Sequence, residues 1–200
     1  MEDKQKETLI TVGDLVHVIA DGWEKTIKHL KEKYDLKNLK QEVLNTVSVE
    51  FMIFYLNYLN SILKRNMFDK EPDDLLKTME DEIRKHMVAR DKYSILKNWQ
   101  NEEFIAREGL VVQYNRLLGK RFLEYSSYKY ICPIEIGGFP VEESKNNALS
   151  VFSPRIAGLV KNDPEDSFKV TVSMITMRQV DDFKRWLAEK GIFIDTNYKN

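Results

Sequence analysis

The sequence predicts an α+β protein that is mainly helical, with an N-terminal antiparallel bundle of about four helices and a small α+β unit after it. From residue 11 to about residue 126, apolar residues recur at spacings of three and four, and Pro72 is the one proline. After Ser127, alternating β-forming residues and turn-forming glycines and prolines predominate. We therefore expect two domains, a helical bundle at 1–127 and an α+β unit at 128–200.

Four helices account for the first domain. The first is predicted at about 11–34, where Asp14 lies in the first turn and favours the positive end of the helix dipole. The second covers about 36–67. The third is predicted to begin at Pro72, since proline is favoured at the first helical position. The fourth covers about 101–125, and the short connections favour an antiparallel bundle.

The second domain is predicted from two strand candidates and a helix. The strands are 128–136 and 167–175, the helix is 180–191 with Gly191 as its cap, and 192–195 would return as a strand. Segment 148–160 is ambiguous. As a strand it would complete the β-α-β-β-α-β order of a ferredoxin-like fold. Pro154 within it argues instead for an edge strand or a break.

Charge and cysteine usage exclude several classes of function. The chain has 31 Lys and Arg against 32 Asp and Glu, so it lacks the positive excess that nucleic-acid binding uses. One cysteine, Cys132, allows neither an intramolecular disulfide nor a multi-thiolate zinc site. The charged N-terminus has no apolar core of signal-peptide length, and no membrane span is expected. We expect a cytoplasmic protein.

The most apolar stretch, VSVEFMIFYLNYLN at 47–60, contains one carboxylate, Glu50. On a helical wheel, apolar residues cover two nearly opposite faces of this helix. Such a helix is either the central helix of a bundle or half of a dimer interface. Glu50 lies on the flank between the two faces and should be at least partly buried. A buried carboxylate is costly unless it is neutral or paired.

Partners for Glu50 are expected on the third helix. His86, Arg90 and Tyr93 share a face at spacing i, i+4, i+7. Arg90 would form an ion pair with Glu50, and His86 or Tyr93 would fill a remaining lone pair. The hypotheses are a buried polar network that sets helix register, side chains that reach water, and a ligand pocket lined by these four residues.

No cofactor is expected, and the metal signal is weak. His17 and Asp21 are spaced i, i+4, as are Glu82 and His86, but a di-iron bundle needs two Glu-x-x-His motifs. We therefore predict no metal site, with His17, Asp21 and Glu82 as the weak candidates. The chain also lacks a P-loop, a dinucleotide fingerprint, a nucleophile elbow and a zinc-protease motif.

The sequence thus favours a non-enzymatic interaction or regulatory protein over an enzyme. We expect it to form a homodimer or to dock a protein partner through its helical domain. The alternative is a sensor or enzyme that binds a small molecule or a metal in a pocket within the bundle, lined by Glu50, His86, Arg90 and Tyr93.

Overall fold

The computed structural model describes residues 10–33, 39–66, 72–97, 109–133, 145–160 and 166–191, with residues 135, 136, 139, 140 and 142. In this part of the chain the fold is an all-α helical bundle. Its six helices are α1 (Val12–Lys33), α2 (Gln41–Asn66), α3 (Pro72–Lys97), α4 (Leu110–Ser126), α5 (Leu149–Val160) and α6 (Asp166–Glu189). Two residues each of β1 (Glu135–Ile136) and β2 (Phe139–Pro140) pair antiparallel.

The prediction of an α+β fold with a ferredoxin-like unit is wrong, because the segment predicted as a strand at 167–175 belongs to α6. Its alternating apolar residues do not share one face. Phe168 and Val172 are buried, whereas Val170 and Met174 are exposed. The buried set continues at helical spacing to Val180, Phe183 and Leu187. Buried residues at helical spacing along α6 indicate a helix more strongly than the short alternation at 167–175 indicates a strand, because that alternation is compatible with either structure.

Segment 148–160 is also helical, and α5 contains Pro154 at its sixth residue. A proline inside a helix leaves a carbonyl four residues earlier without its partner. Here Pro154 and Ser150 are both exposed, so water can satisfy that carbonyl. The buried residues Leu149, Phe152 and Ile156 follow helical spacing on the opposite side.

Within the segment predicted as a strand at 128–136, residues 128–133 do not form a continuous strand, and only Glu135–Ile136 of its described residues belong to one, β1. Tyr130 makes an isolated parallel bridge with Asn147, and the backbone carbonyls of Tyr130 and Ile131 accept hydrogen bonds from Ala148 and Leu149. These bonds hold the segment against the start of α5. The strand predicted at 192–195 lies outside the described residues.

Helix α2 is the centre of the bundle. It packs most extensively against α4 and also contacts α1, α3, α5 and α6. Residues 46–60 are all buried. Both apolar faces of α2 are therefore covered within one chain, which explains the two-sided pattern without a dimer interface.

Several predicted helix ends are confirmed. Thr11 and Asp14 cap α1 reciprocally: the backbone N–H of Thr11 donates to Asp14 over 2.9 Å, and that of Asp14 donates to the Thr11 hydroxyl over 3.1 Å. Pro72 is the first residue of α3. Gly191 follows α6 with φ of 80°, a conformation that favours glycine.

One hydrophobic core contains residues from all six helices. Helices α5 and α6, which follow residue 127, both pack against α2, and α6 also packs against α1. A domain boundary at residue 127 stays a prediction. No helix in the described ranges carries an apolar stretch long enough to cross a bilayer.

Candidate functional site

Glu50 is buried on α2, with 1% of the residue exposed, and both of its carboxylate oxygens accept hydrogen bonds from α4. Arg121 donates through Nε to Oε1 over 2.6 Å. The Tyr125 hydroxyl donates to Oε2 over 2.7 Å. A guanidinium and a phenol on successive turns of α4 thus compensate the carboxylate that interrupts the apolar face of α2.

Two further side chains close a ring around this pair. Arg155 of α5 donates to the Tyr125 hydroxyl over 2.7 Å and forms an ion pair with Glu124. Glu124 also accepts from Arg121 Nη1 over 3.1 Å. We call Glu50, Arg121, Glu124, Arg155 and Tyr125 the Glu50 ring. It contains two carboxylates and two guanidiniums, has no net charge, and joins α2, α4 and α5.

The pKa values in the Glu50 ring follow from its geometry. Burial, and then the charge of Glu50, raise the pKa of Tyr125 far above its usual range, so its hydroxyl remains a donor. Burial alone would raise the pKa of Glu124, but the hydrogen bonds and charges of Arg155 and Arg121 outweigh it and lower that pKa. Burial opposes the charged form of Arg155, yet Tyr125 and the two carboxylates raise its pKa.

The partners that the sequence suggested for Glu50 lie elsewhere. Arg90 forms an exposed ion pair with Glu24 of α1. His86 packs edge-on against Trp23, with ring centroids 6.3 Å apart. The structure does not describe the side chain of Tyr93, so its predicted place beside Glu50 stays a prediction. The Glu50 ring therefore does not contain His86 or Arg90, because α4 rather than α3 lies against the Glu50 flank.

A sequence signal for part of the ring did exist. Arg121, Glu124 and Tyr125 are spaced i, i+3, i+4, so they share one face of the fourth helix. That face borders the apolar stripe that contains Tyr114 and Leu118. Arg155 gave no such signal, since segment 148–160 was ambiguous and was not predicted to be a helix.

His86 is a second partly buried polar group. Its Nε2 atom and the Nε1 atom of Trp23 are buried and have no hydrogen-bond partner among the residues that the structure describes. Burial lowers the pKa of His86, and the nearby His17 lowers it further. The neutral imidazole is therefore favoured in the folded protein.

The weak metal candidates are dispersed. His17 is exposed on α1, while Asp21 pairs with Lys25 and Glu82 with Lys85 along their own helices. Among the described residues, no three His, Cys, Asp or Glu side chains form a group that would hold a metal ion.

The clearest exposed feature is an apolar stripe on α6. Val170, Met174 and Met177 are spaced i, i+4, i+7 and so lie on one side of the helix. Val170 is 56% exposed, Met174 is 67% exposed and Met177 is partly buried. We call these three residues the α6 stripe. Phe168 and Val172 of the same helix are buried in the core, whereas the α6 stripe lies on a different side of the helix.

An open groove of about 720 Å³ lies along the α6 stripe. Ser153 and Pro154 of α5 line one side, and all three stripe residues line the other. The groove is also lined by four charged residues of α6, which are Lys169, Arg178, Asp181 and Arg185. Three of these four are basic, and one of the three, Arg185, pairs with Asp182.

Comparison of the chain with protein-family models, with curated proteins and with solved structures finds no match. The function of this chain is therefore inferred from the geometry and chemistry of its own residues.

Proposed function

We propose that this protein is a non-enzymatic docking protein whose α6 stripe binds an acidic amphipathic helix of a protein partner. The observation that carries the proposal is an exposed i, i+4, i+7 apolar stripe beside a groove with a basic rim. Helix-in-groove recognition uses this spacing, because the apolar face of a partner helix presents side chains at the same intervals.

The residue types on the α6 stripe suit a docking surface. Two of the three are methionines, whose flexible side chains adapt to different partner surfaces. Single exposed apolar residues are common on any protein, but Val170 and Met174 are both more than half exposed and lie one turn apart. Their burial by a partner would remove apolar surface from water, which favours association.

The charged residues that line the groove indicate which kind of partner helix it would bind. Arg178 makes no ion pair with a described residue, whereas Arg185 pairs with Asp182, and Asp181 pairs with Lys184. The rim therefore offers more positive than negative charge to an occupant. Aspartate and glutamate beside the apolar face of a partner helix would complement it and speed the encounter.

The proposed class of function is the one expected from the sequence, but the proposed docking surface is now on α6. Sequence analysis placed it on the helical domain before residue 127, with α2 as the motivating feature. Because α2 is covered on both sides within the chain, its apolar pattern no longer argues for an interface. The exposed α6 stripe is the feature that supports binding of a protein partner.

The test uses a synthetic helical peptide with leucines at i, i+4, i+7 and flanking glutamates, and a second peptide with lysines in place of the glutamates. Fluorescence anisotropy with the full chain measures both affinities. We expect the acidic peptide to bind at least tenfold more tightly than the basic one. Val170→Ser should weaken that binding at least fivefold, and added salt should weaken it further.

Leu123→Ser is the matched control, since Leu123 is a strongly exposed apolar residue on α4, away from the groove. It should leave peptide binding unchanged. Equal binding of the two peptides, or equal loss in both variants, would overturn the proposal. Sedimentation as a dimer that Val170→Ser converts to a monomer would also overturn it, by assigning the stripe to a second copy of the chain.

A further inference from the structure

A second cavity lies on the other side of Met174, between α1 and α6, with a volume of about 350 Å³. Lys25, Thr26 and His29 line it from α1. Ile175, Arg178 and Gln179 are among the residues that line it from α6. The volume is at the lower end of the range of about 300–1,000 Å³ typical of small-molecule sites.

The cavity begins where the two helices come closest. At Gly22 of α1, a Cβ atom would lie 2.7 Å from Gln179 Nε2 and 2.8 Å from the ring of Phe183. The absence of a side chain at Gly22 thus lets α6 approach α1. One helical turn further along α1, at Thr26, the helices leave the space that forms the cavity.

Gln179 is the group in this cavity that points to a ligand. It is only 8% exposed, and its side-chain amide makes no hydrogen bond with any described residue. Its amide atoms are not among the fully buried polar atoms without a partner, so they reach the cavity and can bind a ligand there. The Thr26 hydroxyl does not bond the Gln179 amide, because it donates to the Gly22 carbonyl and shares a hydrogen bond with the Tyr55 hydroxyl.

The charged residues around the cavity favour an anion. Arg178 carries positive charge and His29 offers a ring N–H, whereas Lys25 is already paired with Asp21 of its own helix. The acidic lining residue, Asp182, is paired with Arg185 outside the cavity. Arg178 has no ion-pair partner among the described residues, so its guanidinium is available to a ligand carboxylate.

Apolar groups complete the lining. Ile175 is partly buried in the wall, and the exposed Met174 stands at the edge. An occupant therefore meets polar donors and cations on one part of the cavity and apolar side chains on another. A molecule with one anionic end and a short apolar body matches both parts.

We propose that the α1–α6 cavity binds a small amphipathic carboxylate, held by the Arg178 guanidinium and the Gln179 amide, with its apolar body against Met174 and Ile175. Met174 and Arg178 line both this cavity and the groove proposed for partner docking, but the cavity lies on the α1 side of α6, whereas the groove lies toward α5. The function of the cavity would be to sense such a ligand or to carry it.

The probe is octanoate, titrated into the full-length chain while the methyl resonances of Ile175 and Met174 are followed by NMR. Saturable shifts of both methyl groups are the expected result. Arg178→Gln should raise the dissociation constant at least tenfold, and Gln179→Leu should raise it at least fivefold. Lys184→Gln serves as the control, since Lys184 lies on the same helix but does not line the cavity.

Octanol and inorganic phosphate distinguish the two parts of the proposed ligand. Octanol should bind at least tenfold more weakly than octanoate, because it lacks the charge, and phosphate should not shift the Ile175 methyl group. The proposal is overturned if octanoate causes no saturable shift, if phosphate alone binds, or if Arg178→Gln and Lys184→Gln have equal effects. Gln179→Leu also serves if Arg178→Gln fails to fold.

Discussion

Substitution of Glu50 by glutamine tests the Glu50 ring most directly, because it removes one charge and retains the shape of the side chain. Loss of one partner from a buried ion pair costs about 3–5 kcal/mol when the other charge is left uncompensated. In this protein Arg121 and Arg155 keep Glu124 as a partner and their side chains remain 18% exposed. We therefore expect the lower end, about 3 kcal/mol of unfolding free energy.

Urea unfolding followed by circular dichroism measures this change, and a thermal scan provides a second measure. For a chain of this size, 1 kcal/mol corresponds to about 2–4 °C in Tm, so Glu50→Gln should lower Tm by about 6–12 °C. Glu82→Gln is the matched control, because Glu82 pairs with Lys85 on the surface of α3. Its unfolding midpoint should stay close to that of the unsubstituted protein.

A double-mutant cycle with Arg121→Gln then isolates the contact itself. If the two side chains stabilise the fold through each other, the double variant should lose less free energy than the sum of the single variants, by about 0.5–3 kcal/mol. A Glu50→Gln protein whose stability differs from the parent by less than about 0.5 kcal/mol would refute this reasoning. It would show that Glu50 does not contribute to the fold through the ring.

Two further predictions concern helix packing and acid stability. Gly22→Ala should destabilise the protein by about 1–2 kcal/mol despite its better helix propensity, because the new Cβ lies within 3 Å of Gln179 and Phe183. Gly119→Ala, where nothing lies within 4 Å, should instead raise stability by about 0.5–1 kcal/mol, and urea unfolding of both variants compares them. The lowered pKa of Glu124 means that its ionised form stabilises the fold above the ordinary value of 4.5 and that this contribution is lost as the pH falls below it. Unfolding midpoints at pH 7 and pH 3.5 should therefore differ less in Glu124→Gln than in the parent, and an equal difference in both proteins would contradict the assignment.

The first half of the fold was predictable because its signals are local. The cap at Thr11, the proline that begins α3 and the helical spacing of apolar residues in α2 are each set by residues a few positions apart in the sequence. Segment 167–175 was not predictable by the same means. Its alternation of Phe168, Val170, Val172 and Met174 satisfies a strand locally, and only packing against α1, α2 and α5 shows which of these residues are buried.

The sequence by itself determined that Glu50, inside the most apolar helix of the chain, needs compensation when buried, since an isolated charge is unfavourable away from water. Only the tertiary structure decided which groups provide it. Arg121 and Tyr125 come from α4, and Arg155 comes from α5, more than a hundred residues after Glu50 in the sequence. Helix spacing places neighbours on one helix face, but it does not state which helix packs against another. The position of α4 rather than α3 beside Glu50 therefore depends on how the other five helices of the described chain together cover the two apolar faces of α2.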